Sequence, residues 1–171
     1  VVNFSRIEVE GIDLTWRYGF DTDLGRFEAL LDGARLMHFK TFAPQPDGTV
    51  LVDERAGKGD TPRATYPKWK GQAGLRWSQG PFSAGWRARY IGETTDVPGN
   101  ALNGGTTNDV TYHDVQFGYE WERLRTSLTV GIDNLLDESP PASRANNPIN
   151  FDIYTYDVRG TYWYVKVGTK F

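Results

Sequence analysis

The sequence predicts an all-β chain, an antiparallel up-and-down meander of long strands. Three features carry this expectation. Apolar and polar residues alternate with a period of two over long stretches, without the 3.6-residue period of an amphipathic helix. Each stretch is longer than the five or six residues usual for soluble strands. The connections alternate strictly between short and long.

The elements follow in order, with bounds read from the alternation. The first strand is expected over about 6–20, with Ile12, Leu14, Trp16 and Tyr18 on one face. The short DTDLG (21–25) follows. A calcium loop of the EF-hand type needs Gly at its sixth position and Glu at its twelfth. Counted from Asp21 these are Arg26 and Asp32, so a plain tight turn is expected. The second strand covers about 26–43, with Phe27, Ala29, Leu31, Met37 and Phe39 together. A long connection (44–63) leads to the third, about 67–78, with Trp69, Ala73, Leu75 and Trp77 against Lys68, Lys70, Gln72 and Arg76. After the short QGP (79–81) the fourth runs over about 82–93, with Phe82, Ala84, Trp86, Ala88 and Tyr90 against Ser83, Gly85, Arg87 and Arg89. A long connection (92–109) precedes the fifth, about 110–122, where Val115, Phe117, Tyr119 and Trp121 oppose Asp114, Gln116, Gly118 and Glu120. A very short join near Glu122–Arg123 leads to the sixth, about 124–135, with Leu124, Leu128, Val130 and Ile132 against Arg125, Ser127, Thr129 and Asp133. The last long connection (137–157) precedes the closing GTYWYVKVGTKF. There Trp163, Val165, Val167 and Phe171 share one face, and Tyr162, Tyr164 and Lys166 the other.

Composition narrows the partners. The chain carries 19 basic and 22 acidic residues, net −3, which argues against nucleic acid. It has no cysteine, so no disulfide, thiol nucleophile or cysteine metal site is available. Mean hydropathy is −0.54, yet aromatics make up 14% of residues. The chain begins VVNFSR, and its single methionine is Met37. It is read as a fragment or a processed piece.

Two arrangements satisfy the alternation. One is a soluble barrel or sandwich with the apolar face inward. The other is a membrane barrel, apolar outside and wet inside. The polar faces, with Arg87 beside Arg89 and Arg125 with Asp133, fit either. Strands of roughly 10–16 residues match a tilted bilayer crossing. Trp16, Tyr18, Trp77, Tyr90, Trp121 and Trp163 near strand ends resemble interfacial girdles. Alternating loop lengths put all tight turns at one end and all long loops at the other, the pattern of bacterial outer-membrane barrels. Bacterial single-chain barrels have even strand numbers, and an open sheet leaves backbone groups unpaired in lipid. Seven strands therefore imply further strands before Val1.

Four segments in sequence carry a family resemblance: FSRIEVEGIDLTWRY, YPKWKGQAGLRWSQGPFSAGWRARYIGE, VGIDNLLDESPP, and the closing strand ending in Phe171. The chain resembles the C-terminal third of the barrel of TonB-dependent receptors, over essentially residues 1–171. The resemblance implies the last seven strands of a barrel of about 22, a bacterial outer-membrane location, and an N-terminal plug that is not among these residues. It implies import of a scarce nutrient of the ferric siderophore, cobalamin or oligosaccharide class. The implied partners are outer-membrane lipid, the plug and upstream strands, TonB through the missing N-terminal part, the barrel-assembly machinery and a small-molecule ligand. The rivals are a passive porin or autotransporter translocator, and a soluble β-barrel ligand binder.

No catalytic constellation is found: G-x-S-x-G, Walker and H-E-x-x-H motifs are absent. His113 and Asp114 are adjacent and point to opposite faces, so they cannot act as a pair. No cofactor or metal is expected, and an enzyme is not. The candidate ligand residues are Arg87 and Arg89, a basic pair that either meets anionic ligands or the plug, or pairs with carboxylates such as Asp114 and Glu120. To these are added Asn100, Asn103, Asn146, Asn147 and Tyr154 in the long loops, where binding residues concentrate. Phe171 is expected to close the barrel edge and, on the resemblance, to serve as an assembly signal. Deletion of Phe171 from the full-length protein lowers its yield in the outer-membrane fraction on this expectation; an unchanged yield removes the signal role.

Overall fold

Extended segments rich in aromatic and β-branched residues can satisfy their backbone groups only against a neighbouring strand. The computed structural model describes residues 6–59, 65–95, 105–142 and 150–170. Among the described residues the chain forms β1 (Arg6–Thr22), β2 (Gly25–Pro44), β3 (Val50–Glu54), β4 (Trp69–Gln79), β5 (Phe82–Ile91), β6 (Thr94–Thr95), β7 (Thr106–Thr107), β8 (Val110–Trp121), β9 (Thr126–Asp133) and β10 (Tyr162–Thr169). One antiparallel sheet runs β1-β2-β4-β5-β8-β9-β10, with β3 added to β2, and β6 pairs β7 apart from it. The seven expected strands are these seven, in the expected up-and-down order. The sheet is open at β1 and β10.

The turns sort by length as expected. The joins β1–β2, β4–β5 and β8–β9 are tight and lie at one end. At Thr22–Gly25 the Thr22 hydroxyl donates to the Gly25 carbonyl (2.9 Å) and accepts the Leu24 N–H (3.1 Å). The β8–β9 join is a 3-10 turn, Glu122–Leu124, closed by Arg125 at φ 48°. The sixth strand therefore begins at Thr126, and Leu124 lies in the turn rather than on the strand face.

Three further expectations are corrected. The connection 44–63 is not simply a loop. After Pro44, Gly48 N–H donates to Gln45 O (3.0 Å), and Asp47 Oδ1 accepts Thr49 N–H (2.9 Å) and Oγ1–H (2.6 Å). This turn returns the chain as β3, paired with Lys40–Pro44. The local signal was PDGTVLV, turn residues followed by an apolar β-branched run. The second correction concerns β2. Gly11 pairs Leu36 but Glu10 pairs His38, so Met37 is the extra residue of a β-bulge. A Cβ at Gly11 would lie 2.9 Å from the Arg35 carbonyl oxygen, which accounts for glycine there. The bulge turns Phe39 to the face opposite Phe27, Ala29 and Leu31, because a one-residue slip exchanges the faces. Trp16, paired with Leu31, lies within the apolar stretch rather than at its end.

The two faces differ in chemistry. One carries Leu14, Leu31, Leu75, Trp86, Phe117, Val130 and Val165, all exposed in this chain. Aromatic contacts gather toward the tight-turn end of that face: Phe20–Phe27 at 5.3 Å, Phe82–Tyr119 at 5.0 Å and Tyr119–Trp121 at 4.7 Å. The other face lines a groove of about 950 Å³ that includes Arg17, Glu28, Arg76, Arg87, Gln116 and Tyr164. Large and absent side chains alternate across it. Tyr164 pairs Gly131, Gly131 pairs Gln116, and Gln116 pairs Gly85. A Cβ at Gly131 would collide with the Tyr164 ring, and one at Gly85 would sit 3.2 Å from Gln116. The glycines let Tyr164 and Gln116 lie flat and approach each other, Tyr164 Oη to Gln116 Oε1 at 3.4 Å. Gly131→Val is expected to lower the urea midpoint in detergent, and the loss is expected to shrink in a Tyr164→Ala background. Equal losses in both backgrounds would refute this packing coupling.

Candidate functional site

The groove is most elaborated at its long-loop end, where loop segments cover the inner face of the sheet. Backbone bonds knit two of these segments together. Gly57 N–H donates to Tyr66 O (2.7 Å), Tyr66 N–H to Lys58 O (2.9 Å), Thr95 N–H to Gly57 O (2.8 Å) and Gly59 N–H to Thr95 O (3.1 Å). Thr94 pairs Thr107 in the β6–β7 ladder. Phe39, turned inward by the bulge, packs on Tyr66 at 4.6 Å.

Two carboxylates anchor this end. Glu54 Oε1 accepts the backbone N–H groups of Phe39 (2.8 Å) and Ala56 (3.0 Å), and its Oε2 lies 2.8 Å from His38 Nδ1. Burial opposes its ionisation, but these hydrogen bonds outweigh it and hold the carboxyl at about 2. The contribution is present above the ordinary glutamate range and is lost as pH falls toward 2. Asp152 is buried, and its Oδ1 accepts Tyr154 N–H (2.9 Å). Burial opposes ionisation there too, and hydrogen bonds from Thr155, Thr65 and Tyr154 hold the carboxyl below its usual range.

Asp114 is the centre of the site. It pairs directly with Arg87 across β5–β8. Its Oδ2 accepts Arg87 Nη2–H (2.7 Å), Arg87 Nε–H (3.0 Å) and Arg89 Nε–H (3.2 Å). Its Oδ1 accepts the Asn134 backbone N–H (3.0 Å) and Arg89 Nη2–H at 3.4 Å. Arg89 also lies over the Tyr112 ring at 5.1 Å and reaches Asp157 Oδ2 at 3.7 Å. Tyr112, fully buried, donates its hydroxyl to Asp157 O (3.4 Å).

Asn134 extends this node to the last strand. It is 1% exposed and sits at φ 52°, a left-handed position that Asn tolerates. Its Nδ2 donates to Glu138 O (2.9 Å) and Arg159 O (3.2 Å), its Oδ1 accepts Glu138 N–H (2.9 Å), and its carbonyl accepts Thr161 Oγ1–H (3.0 Å). Asp137 Oδ1 accepts Thr161 N–H (3.0 Å). The NLLD segment thus ends β9 and delivers the chain to β10.

The predicted residues divide as follows. Arg87 and Arg89 come together on the groove face with Asp114 as partner, the wall pairing weighed in the sequence; Glu120 is instead 4.0 Å from Lys170. Tyr154 is exposed on the loop after Asp152 and does not line the groove. Asn100, Asn103, Asn146, Asn147 and Phe171 lie outside the described residues. His113 faces away from Asp114 as expected, stacked on Trp86 at 5.9 Å. The part sequence reasoning missed is Asp157 and Arg159, Arg159 lying over Tyr162 at 5.6 Å; no period marks residues in an irregular segment. Among the described residues no group of three or more His, Cys, Asp or Glu could hold a metal. The arrangement offers guanidinium and phenol groups for hydrogen bonding and stacking, with no nucleophile–base pair.

A family model described as TonB dependent receptor-like, beta-barrel matches residues 1–135. No curated protein matches. Among solved structures, a point mutant of the ferric enterobactin receptor from Pseudomonas aeruginosa matches at 13% identity and a TM-score of 0.44, over 92% of this chain and 30% of that one. The chain therefore spans 30% of the length of that receptor.

Asp114→Ala leaves two guanidinium groups and the Asn134 N–H without their acceptor. Removing one partner of a buried, hydrogen-bonded pair costs about 3 kcal/mol. The urea midpoint is expected to fall accordingly, with faster proteolysis in 150–159; an unchanged midpoint would show that Asp114 is not the node.

Proposed function

The chain belongs to the TonB-dependent receptor-like β-barrel family, and on that premise we propose that residues 1–171 are the C-terminal part of the barrel of an outer-membrane active-transport receptor. The observation that carries the reading is the two-faced open sheet: an exposed apolar and aromatic face on one side, a polar groove on the other. In a bilayer a sheet satisfies every backbone group only as a closed barrel, so the two free edges meet upstream strands. The apolar face then meets lipid, and the groove is part of the lumen that encloses the plug.

The cargo is a scarce nutrient, of the ferric siderophore, cobalamin or oligosaccharide class. Arg17, Arg76 and Lys166 with Tyr162 and Tyr164 on the inner wall favour an anionic, oxygen-rich ligand such as a ferric chelate. The tight turns face the periplasm, where TonB engages the plug, and the long loops face outside. The chain performs no chemistry on its cargo. The barrel-assembly machinery inserts it, reading the last strand and Phe171.

An epitope inserted at Gly48 or Gly104 of the full-length receptor is expected to bind antibody on intact cells, and one at Gly80 only after permeabilisation; the reverse would overturn the topology. Uptake of labelled ferric chelates is expected to stop when TonB is deleted. Uptake that persists without TonB supports the passive-porin reading instead.

A further inference from the structure

Polarity inverts along β1. Below the bulge Ile12, Leu14, Trp16, Tyr18 and Phe20 point outward. Above it the outward positions are Arg6, Glu8 and Glu10, and the apolar Ile7 and Val9 point inward. On β2 the first outward residues above the bulge are His38 and Lys40, which pair Glu10 and Glu8; Phe42 and Pro44 follow toward the hairpin tip, paired with Val52 and Val50 of β3. The continuous apolar band of this part of the wall therefore ends at one row, Ile12–Arg35–Trp69, above which the outer face carries the charged rows Glu10–His38 and Glu8–Lys40–Glu54 before Phe42 and Val52 near the hairpin tip. On the receptor reading, that row is the outer boundary of the hydrocarbon.

Arg35 stands in that row on the outer face. It is exposed, lies 5.0 Å from the Trp69 ring centroid, and has no ion-pair partner among the described residues. An unpaired cation beside an interfacial tryptophan, at the edge of an apolar band, sits at the depth of lipid phosphates. Directly beneath it the surface is bare. Gly33 pairs Gly71, and a Cβ at Gly33 would meet nothing within 4 Å. Leu14 flanks this floor on one side and Tyr90 on the other, since Leu14 pairs Gly33 and Gly71 pairs Tyr90. The next row down places Ala73 and Ala88 between Leu31 and His113. A notch without side chains thus runs from the cation into the apolar band.

We propose that Arg35, Trp69 and the Gly33–Gly71 notch form a binding site for one phosphorylated lipid of the outer leaflet. The phosphate meets the Arg35 guanidinium, and an acyl chain lies in the notch. The site rests on the receptor reading for its depth in the membrane. Neither group belongs to the Asp114 site.

The test uses the full-length receptor in a neutral maltoside detergent, titrated with dioleoyl-phosphatidylglycerol and read by native mass spectrometry. The wild type is expected to retain one lipid more tightly than the rest. Arg35→Gln weakens that lipid about fivefold, the factor for one basic residue at an anionic membrane surface. Gly33→Leu weakens it while leaving the charge in place, by filling the notch. Unchanged heat-modifiable gel mobility certifies that both variants are folded; Arg35 is exposed, and a Cβ at Gly33 meets nothing within 4 Å. Three results would overturn the site: both variants binding as the wild type does, dioleoylglycerol competing as well as the phospholipid, or millimolar inorganic phosphate displacing it. The first removes the site, the second leaves a greasy patch only, and the third makes it a free-anion site. Flotation with lipid vesicles separates this claim from the one beneath it. Failure of the wild type to float sinks the receptor reading, whereas flotation with equal lipid binding by wild type and both variants sinks this proposal alone.

Discussion

Backbone pairing between neighbouring strands is the constraint on which this wall depends, because it has almost no apolar interior. Among the described residues the buried apolar cluster is Val110, Tyr112 and Tyr156 with Ile91 packed against it. Large side chains such as Leu14, Val165 and Val167 lie open on the outer face. In a soluble protein of this length the burial of such groups would drive folding. Here the ladders fix the strands in register, and the surrounding medium decides which face is favourable. The period of two, the glycine-for-tyrosine exchange at Gly131 and Tyr164, and the bulge at Met37 all follow from keeping those ladders continuous while the faces change.

The Asp114 node shows how register is converted into a site. Arg87 meets Asp114 because the two are direct cross-strand partners, and Arg89 reaches the same carboxylate from two residues further along. Asn134 joins because β9 ends opposite, with its N–H aimed at Asp114 Oδ1. One carboxylate therefore ties β5, β8 and the turn leading to β10. A charge buried with several donors is held far more firmly than an exposed pair, which contributes little. The node also sets the charge of the groove. Asp114 and Asp157 offset much of the Arg87, Arg89 and Arg159 charge, so among the described groove residues the cations without an ion-pair partner are Arg17, Arg76 and Lys166.

How far the sequence reaches depends on whether a feature is periodic. Seven strands, their order, the tight and long ends, and the opposition of His113 and Asp114 were legible because the alternation is local and regular. The pairing of Arg87 and Arg89 with Asp114 was legible as a possibility, since all three fall on polar faces of adjacent strands. Phe39 lies on the face opposite to the one the alternation predicts, because a bulge at Met37 adds one residue without any change in composition. β3 escapes the alternation because it is only 5 residues long and sits inside a long connection. Asp157 and Arg159 were invisible because their roles come from a segment without repeat, folded onto Tyr112 and Tyr162.

The bulge joins these threads. It is the point where β2 exchanges partners, with β4 below it and β3 above it. It is also where the outward residues change from apolar to charged, and where Phe39 turns inward to pack on Tyr66. A single inserted residue exchanges the two faces of a strand while the ladder continues on either side of it. On this argument the extra residue at Met37 separates two regions of one sheet. Below it is a wall whose outer face is apolar. Above it is a hairpin whose outer face carries His38, Lys40 and Glu54 before Phe42 and Val52, and whose inner face, with Phe39 on Tyr66, supports the loops that crown the groove.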